Sequence, residues 1–302
     1  MLFRSLSENT GRGFSTNGDY IAFLENTNER ISLFRGPVTT SVGHMNTDDS
    51  GEIGDQPRFH TIEDQGIPPA LGSLVGVGVP LIRSLAKGRH KTLFLAWAIF
   101  RRSCHQLWKY IRAPFVNYQV RQESFKSAEE ITSNMMCIVA QGREAAKGKF
   151  RLGKDLGDTR LRVERTDGKK FHEDPVYPAI KSSLEKLAEA LKKPGDKRGD
   201  FVNPFWNKLS GKFALTSIAT THPLGGCRMG KDGLLDEKNE LGGVVDECGR
   251  VFDMSKHGQP RSFYEGLYIA DASIMPTALG VNPSLTISAL SLRIADCIIT
   301  EL

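Results

Sequence analysis

The sequence predicts two kinds of architecture in one chain. An α+β domain, a mixed or antiparallel sheet with helices, is followed by an α/β segment of strand, loop and helix. Three observations carry this. Residues 149–164 hold two short strand-like runs around Gly153 and Gly157, a hairpin pattern. Residues 179–193 place Ile180, Leu184, Leu187 and Leu191 at helical spacing. Residues 266–299 run from an apolar stretch ending in Asp271, through a loop, into an apolar helix opened by Asn282-Pro283-Ser284. That order is the architecture of a ligand-binding α/β edge.

Taken along the chain, residues 9–19 are rich in Gly and Asn, which supply positive φ, and predict turns. Tyr20 to Leu24 is a short apolar strand. Residues 44–57 are polar and predict a surface loop. Arg58 to Glu63 alternates, which predicts a half-buried strand with Phe59, Thr61 and Glu63 on one face and His60 and Ile62 on the other. Residues 81–112 carry Arg83, Lys87, Arg89, Lys91, Arg101, Arg102, Lys109 and Arg112, no acid, and interleaved Leu, Trp, Ile and Phe. Two readings of that stretch stand side by side: a peripheral, membrane-surface element, or a helix pair with its apolar side on the core. The hairpin follows at 149–164. The helix at 179–193 is stopped by Pro194-Gly195, and residues 194–200 form a surface turn. Gly266 to Asp271 reads as a buried strand. Asn282 is a suitable N-cap and Pro283 a suitable first helical residue for the helix that runs to about Ile299.

The chain has 302 residues, and 40 Lys+Arg against 35 Asp+Glu leave a net charge of +5. That surplus is too small to argue for nucleic acid, and no nucleic-acid partner is expected. The hydrophobic fraction of 39% with 25% charged residues excludes wholesale disorder. The cysteines are odd in number, at 104, 137, 227, 248 and 297, with no Cys-x-x-Cys pair. Reduced thiols are expected rather than a disulfide framework, no metal site is expected, and the expected compartment is the cytoplasm. The start lacks the apolar stretch of a secretory signal, and no run of roughly 18 apolar residues suggests a spanning helix.

Thr221-His222-Pro223-Leu224-Gly225-Gly226-Cys227 is the most informative segment. Pro and two glycines pin the backbone around one imidazole and let another body approach closely. A held His is a natural acid/base, and it is equally a satisfied structural histidine. The helix opened by Asn282-Pro283 offers unpaired N–H groups to an electron-rich ligand.

The His222 segment, with Gly266 to Ser273 and Gly280-Val281-Asn282-Pro283, resembles the C-terminal signature of the glucose-methanol-choline (GMC) oxidoreductases. Within that family the likeness is to the cholesterol oxidase branch. Asn17-Gly18 and residues 148–164 extend it, so that roughly residues 10–70 and 140–302 are covered. The resemblance implies FAD-dependent oxidation of an alcohol by hydride transfer to flavin. It implies that His222 orients or deprotonates the hydroxyl and that Asn282 faces the substrate oxygen. It also places Asp271, Ala272, Asn282, Pro283 and Ser284 at the flavin. That branch carries Gly at the position of Ala272 and an aromatic residue at the position of Ser284. It also carries a further glutamate within Phe-x-Glu-Ile. Here the segment is Phe59-His60-Thr61-Ile62, so Thr61 stands in that place. Glu63, two residues on, is either its substitute or a solvated strand residue. Double-bond isomerisation is therefore not implied, and the resemblance does not single out a steroid among lipophilic alcohols.

A Gly-x-Gly-x-x-Gly phosphate turn is absent. Gly11-Arg12-Gly13 is followed by Thr16, and Gly76-Val77-Gly78 by Leu81. The chain is therefore expected to be the C-terminal portion of a larger enzyme, with FAD weakly held or absent in isolation. Residues 1–24 would connect to a missing FAD-binding half, 25–215 would form the substrate-binding domain, and 216–302 would close the FAD-binding domain. The expected substrate is a lipophilic alcohol, with sterols included. The alternatives are a small soluble alcohol, and a non-catalytic remnant or half of a split enzyme needing a flavin-binding partner.

Overall fold

The computed structural model describes residues 5–35, 37–46, 52–53, 56–68, 71, 75, 78–79, 129–130, 132–155, 158–196, 200–208, 214–216, 219–234, 242–255 and 261–301. The basic stretch 81–112 lies outside the described residues. In chain order the strands are β1 Arg12–Phe14, β2 Tyr20–Glu25, β3 Val42–Asn46, β4 Glu52–Ile53, β5 Gln56–Pro57, β6 Phe59–Asp64 and β7 Met135–Gly142. They continue with β8 Gly148–Asp155, β9 Asp158–Arg165, β10 Asp200–Val202, β11 Trp206–Lys208, β12 Ala214–Thr216, β13 Arg250–Phe252 and β14 Phe263–Tyr268. The two long described helices are α1 Val176–Leu191 and α2 Ser284–Glu301.

The centre is a five-stranded antiparallel sheet in the order β10-β2-β7-β6-β3. Alternation along its strands makes two faces. Tyr20, Ala22 and Leu24 of β2, Ile62 of β6, and Ile138 and Ala140 of β7 pack on Val176, Tyr177, Ile180, Leu184 and Ala188 of α1. The opposite face presents Phe23 and Cys137, which pack with Leu33, Val79, Met135 and Val202. The sheet is thus covered by α1 on one side and by loops with the helical residues Val75 and Val79 on the other, and the cavity described below lies on this second side, called the loop face.

The predicted strands at Tyr20 and Phe59, the hairpin at 149–164 and the helix before Pro194 are all present. The hairpin pairs β8 with β9 in register Lys149↔Glu164, Arg151↔Arg162 and Leu152↔Leu161, and β1 joins it as a third strand. The face assignment on β6 also holds. His60 bonds Ser183 of α1 at 3.0 Å, and Ile62 enters the α1 core.

The structure corrects the sequence reading in several places. The segment 44–57 is not all loop, because Val42–Asn46 pairs with β6 as the outer strand of the sheet. Polar composition is compatible with an edge strand, whose outer face meets water. The stretch after Gly266 is not a buried strand ending at Asp271. β14 begins at Phe263, ends at Tyr268 and is half exposed, because its only ladder among the described residues is the antiparallel pair with β13. All ladders between the named strands described are antiparallel. Where the sequence reading expected an α/β segment, the described residues hold a two-stranded antiparallel ribbon and α2.

Asn282 does not cap α2. The helix starts at Ser284, and the Ile287 N–H donates to the Pro283 carbonyl at 2.9 Å, so the Asn282 side chain is free for other contacts. The expectation of reduced thiols fails for one pair. Cys248 and Cys297 form a disulfide joining the turn before β13 to α2, with Cα atoms 5.8 Å apart. The 49-residue separation concealed a contact that only the packing of α2 on the ribbon creates. Among the described residues Cys137 and Cys227 are free. No helix among the described residues is long and apolar enough to cross a membrane.

Candidate functional site

A cavity of about 1090 Å³ opens on the loop face of the central sheet. Ile21, Phe23, Cys137 and Val139 form its floor, the outward residues of β2 and β7. Val38, Ile67, Leu71, Val75 and Val79 form a wall from the covering segments, Val75 and Val79 being helical, with Phe205 beside them. Thr221, His222, Asn282, Pro283, Ser284 and Ile287 also border it. The volume lies at the upper end of the range for small-molecule sites, and a mostly apolar wall with a few polar groups is the usual composition of such sites. Burial pushes the Cys137 thiol up to about 12, so this cysteine is a neutral piece of wall and no nucleophile.

His222 is held by a residue that the sequence reading left within a turn. Its Nδ1 lies 2.9 Å from Asp19 Oδ1. Asp19 Oδ2 accepts from the Thr221 N–H at 2.6 Å, the His222 N–H at 3.0 Å and the Thr221 hydroxyl at 3.0 Å. The Thr220 hydroxyl also lies 3.0 Å from Oδ2. The Asp19 side chain is wholly buried, while that of His222 is 20% exposed at the cavity. The backbone downstream of His222 is fixed as predicted. Gly225 has φ of 75°, and a Cβ there would lie 2.0 Å from the Gly13 carbonyl oxygen. Leu224 exchanges both backbone bonds with Ser15 at 2.8 and 3.0 Å.

Asn282 is held by two residues through three hydrogen bonds. Its Nδ2 donates to Glu63 Oε1 at 3.0 Å and to Oε2 at 2.8 Å. Its Oδ1 accepts from Gln141 Nε2 at 3.0 Å. The Thr61 hydroxyl lies 2.9 Å from Gln141 Oε1 and 3.0 Å from the Gly280 carbonyl. Glu63, Gln141 and Thr61 are all buried. The solvated reading of Glu63 is therefore wrong, because its carboxylate faces inward and Asn282 occupies both its oxygens. Glu63 stands behind Asn282 and is not among the residues bordering the cavity.

One three-residue turn braces both arms. Asn17 Oδ1 accepts from the Leu279 and Gly280 N–H groups at 2.9 and 2.8 Å, and its Nδ2 donates to the Val281 carbonyl at 2.9 Å. Gly18 lets this turn press on the end of β7, and Asp19 holds His222. Asn17-Gly18 belonged to the sequence reading, but Asp19 and Gln141 did not. Each left a faint signal. Asp19 is an acid immediately before an apolar strand, and Gln141 is a lone amide ending the apolar run of β7.

Asp271 and Ala272 sit apart from the cavity wall, on the turn after β14. Asp271 Oδ1 accepts from the Ser273 N–H at 2.7 Å. The Ala272 carbonyl accepts from Gly225 N–H at 3.1 Å, and the Ser273 carbonyl from Cys227 N–H at 3.0 Å. This turn is thus tied to the segment that carries His222. Pro283 and Ser284 border the cavity where α2 begins, and the first N–H groups of a helix lack intrahelical acceptors.

The sequence profile of the GMC oxidoreductases matches residues 116–291, more than half of the chain, and the chain belongs to that family. The chain is 23% identical to a long-chain-alcohol oxidase of Arabidopsis thaliana over 277 residues, which is 89% of this chain and 29% of the relative. A second long-chain-alcohol oxidase of Arabidopsis thaliana is 36% identical over 85 residues, 27% of this chain and 9% of the relative. A cholesterol oxidase of Acinetobacter baumannii is 40% identical over 74 residues, 24% of this chain and 10% of the relative. The matched regions amount to less than a third of the length of these relatives. Members of the family depend on FAD.

Proposed function

We propose that this chain supplies the substrate cavity and the proton-handling residues of an FAD-dependent oxidoreductase that oxidises the CH–OH group of a lipophilic alcohol. The carrying observation is the cavity itself, apolar along its floor and wall, with His222 and Asn282 on its border. A long-chain alcohol and a sterol both suit such walls. A small soluble alcohol such as choline would leave most of that apolar surface uncovered, and burial of apolar surface is worth about 25 cal/mol per Å².

The donor set fits a flavin. His222, Asn282 and the start of α2 at Pro283 and Ser284 share one border, and the turn of Asp271 and Ala272 is bonded to the His222 segment. These residues would hold the ring, with residues 216–302 closing a flavin-binding domain over a substrate domain of 25–215. When bound, FAD supplies the acceptor for the hydride that leaves the alcohol carbon.

The chain's own residues manage the rest. The hydroxyl meets His222, whose ring nitrogen facing away from Asp19 accepts its proton as the carbonyl forms. The Asn282 amide carries two hydrogens. One shared between the two Glu63 oxygens leaves the other for the substrate oxygen. The aliphatic body lies along Ile21, Phe23 and Val139 and excludes water from the reacting carbon.

The test begins with the visible spectrum of the purified chain after addition of FAD and removal of the excess. Flavin-loaded protein is then mixed anaerobically with a long-chain primary alcohol, a sterol and choline. If the chain alone retains no flavin, the assay uses it together with a flavin-binding partner. Bleaching of the flavin band by a lipophilic alcohol and not by choline is expected. His222→Ala should retain flavin and lose bleaching by about 100-fold or more. Bleaching by choline alone, or an unaltered His222→Ala rate, would overturn the reading.

A further inference from the structure

We propose that Asp19 is the positioning residue of His222: it fixes the imidazole in the Nδ1–H tautomer, so that Nε2 presents a lone pair to the cavity. This deepens the functional reading above and rests on it. The argument starts from what each group can do. A carboxylate only accepts hydrogen bonds, so the 2.9 Å contact between Asp19 Oδ1 and His222 Nδ1 requires the proton on Nδ1. The neutral ring then has one acceptor left, Nε2. The backbone gives Asp19 no other orientation. Oδ2 is occupied by the N–H groups of Thr221 and His222 at 2.6 and 3.0 Å, which leaves Oδ1 alone to face the ring. The side chain is fully buried, so water does not compete for the contact.

The arrangement has a chemical consequence. The hydroxyl proton moves to the Nε2 lone pair while the hydride leaves the same alcohol for FAD, so the substrate loses two hydrogens and two electrons and becomes a carbonyl compound. The imidazole becomes cationic in that step. The adjacent buried carboxylate is the group that stabilises this charge, and it does so without moving. A lone histidine at the cavity would distribute its proton between both nitrogens and present an N–H to the alcohol part of the time.

Asp19→Asn separates this role from mere support of the loop. The amide oxygen can keep the Thr221 and His222 N–H bonds, so the amide NH₂ must face Nδ1. It then donates to Nδ1 and forces the proton onto Nε2. The tautomer is read by long-range proton–nitrogen correlation spectra of the imidazole, in the chain without flavin. The expected result is Nδ1–H in the native chain and Nε2–H in Asp19→Asn, at closely similar melting temperatures.

In flavin-loaded protein, Asp19→Asn should slow alcohol-dependent bleaching by about 100-fold or more, the scale of a lost general base. The apparent KM should stay nearly unchanged. His222→Ala added to Asp19→Asn should cost little further, because the two act as one unit. An Nε2–H tautomer in the native chain overturns the proposal, and this holds even if the variant fails to fold. A switched tautomer with an unaltered bleaching rate also overturns it. Failure of the flavin-loaded native protein to oxidise any alcohol would refute the functional reading instead, and the tautomer measurement does not depend on that activity.

Discussion

Gly18→Ala should be costly out of proportion to its size. Gly18 has φ of 64°, and a Cβ there would lie 2.3 Å from the carbonyl oxygen of Gly142 and 2.6 Å from its nitrogen. Both obstacles are backbone, at the end of a central strand, and neither can rotate away. The same Gly142 N–H donates to the Asn17 carbonyl at 3.0 Å, so relief of the clash would break that bond. The left-handed conformation costs an alanine about 1–2 kcal/mol. Overpacking adds about 1–3 kcal/mol, and the lost hydrogen bond about 1 kcal/mol. A stiffer unfolded chain returns about 0.4–1 kcal/mol. The net expectation is a loss of about 2–5.6 kcal/mol. Gly168→Ala is the control, since Gly168 has φ of 71° and nothing within 4 Å of the added atom. It should lose about 1 kcal/mol, the conformational part alone. Urea unfolding of both variants isolates the close approach. Equal losses, within about 0.5 kcal/mol, would refute the claim that this turn is pressed against β7.

Two further outcomes follow from the scaffold. Asp174 is buried, with Arg58 Nη1 at 2.5 Å and Arg165 Nη1 at 3.3 Å, so Asp174→Asn removes a buried carboxylate shared by two guanidinium groups, of which Arg165 keeps Asp167. A loss of about 3–5 kcal/mol in urea unfolding is expected, and a loss below about 1 kcal/mol would show that the pairs are not formed as described. His60 is pulled down from 6.5 to about 4 by burial, with His44 adding to the effect. The unfolded chain therefore takes up this proton first. Stability should be intact at neutral pH, fall as pH drops from 6.5 towards about 4, and show no further change from this group below that. His60→Gln should flatten that part of the urea-midpoint profile, and an unchanged slope would assign the transition to other groups.

The sequence disclosed elements whose signal is local. The β2 and β6 alternations, the 149–164 hairpin and the α1 periodicity each lie within one short window, and each appears where it was expected. Misreadings arose where a partner lies far along the chain. Val42–Asn46 is a strand because β6 offers it an edge, not because of its own residues. Cys248 meets Cys297 because α2 packs on the β13–β14 ribbon. Glu63 looked like a solvated strand residue because nothing near it announces Asn282, which lies 219 positions downstream. At the candidate site, His222 stood out because proline and glycines flank it, and Asn282 through the family resemblance, and both border the cavity. Asp19 and Gln141 did not stand out, because an acid after a turn and an amide at a strand end are ordinary until a fold surrounds them.

The site's assembly depends on one tight turn more than on either residue that borders the cavity. His222 and Asn282 lie on separate loops, and their side chains share no hydrogen bond among those described. Their common reference is Asn17-Gly18-Asp19, which enters directly into β2. Asn17 fixes the 279–281 backbone through both ends of its amide, and Asp19 fixes 221–222 through both carboxylate oxygens. Because Gly18 seats the turn on Gly142, and Gln141 beside it bonds Asn282, the end of β7 sets the same reference from the sheet side. A shift of that turn by a few tenths of an ångström would therefore move the imidazole and the amide together rather than apart. The spacing between the His222 imidazole and the Asn282 amide is thus kept against motions of either loop, which is the quantity that the proposed alcohol oxidation needs. The same geometry explains why Glu63 serves better as an anchor than as a free base. Its two oxygens are taken by Asn282, and releasing one would loosen the Asn282 amide at the cavity border.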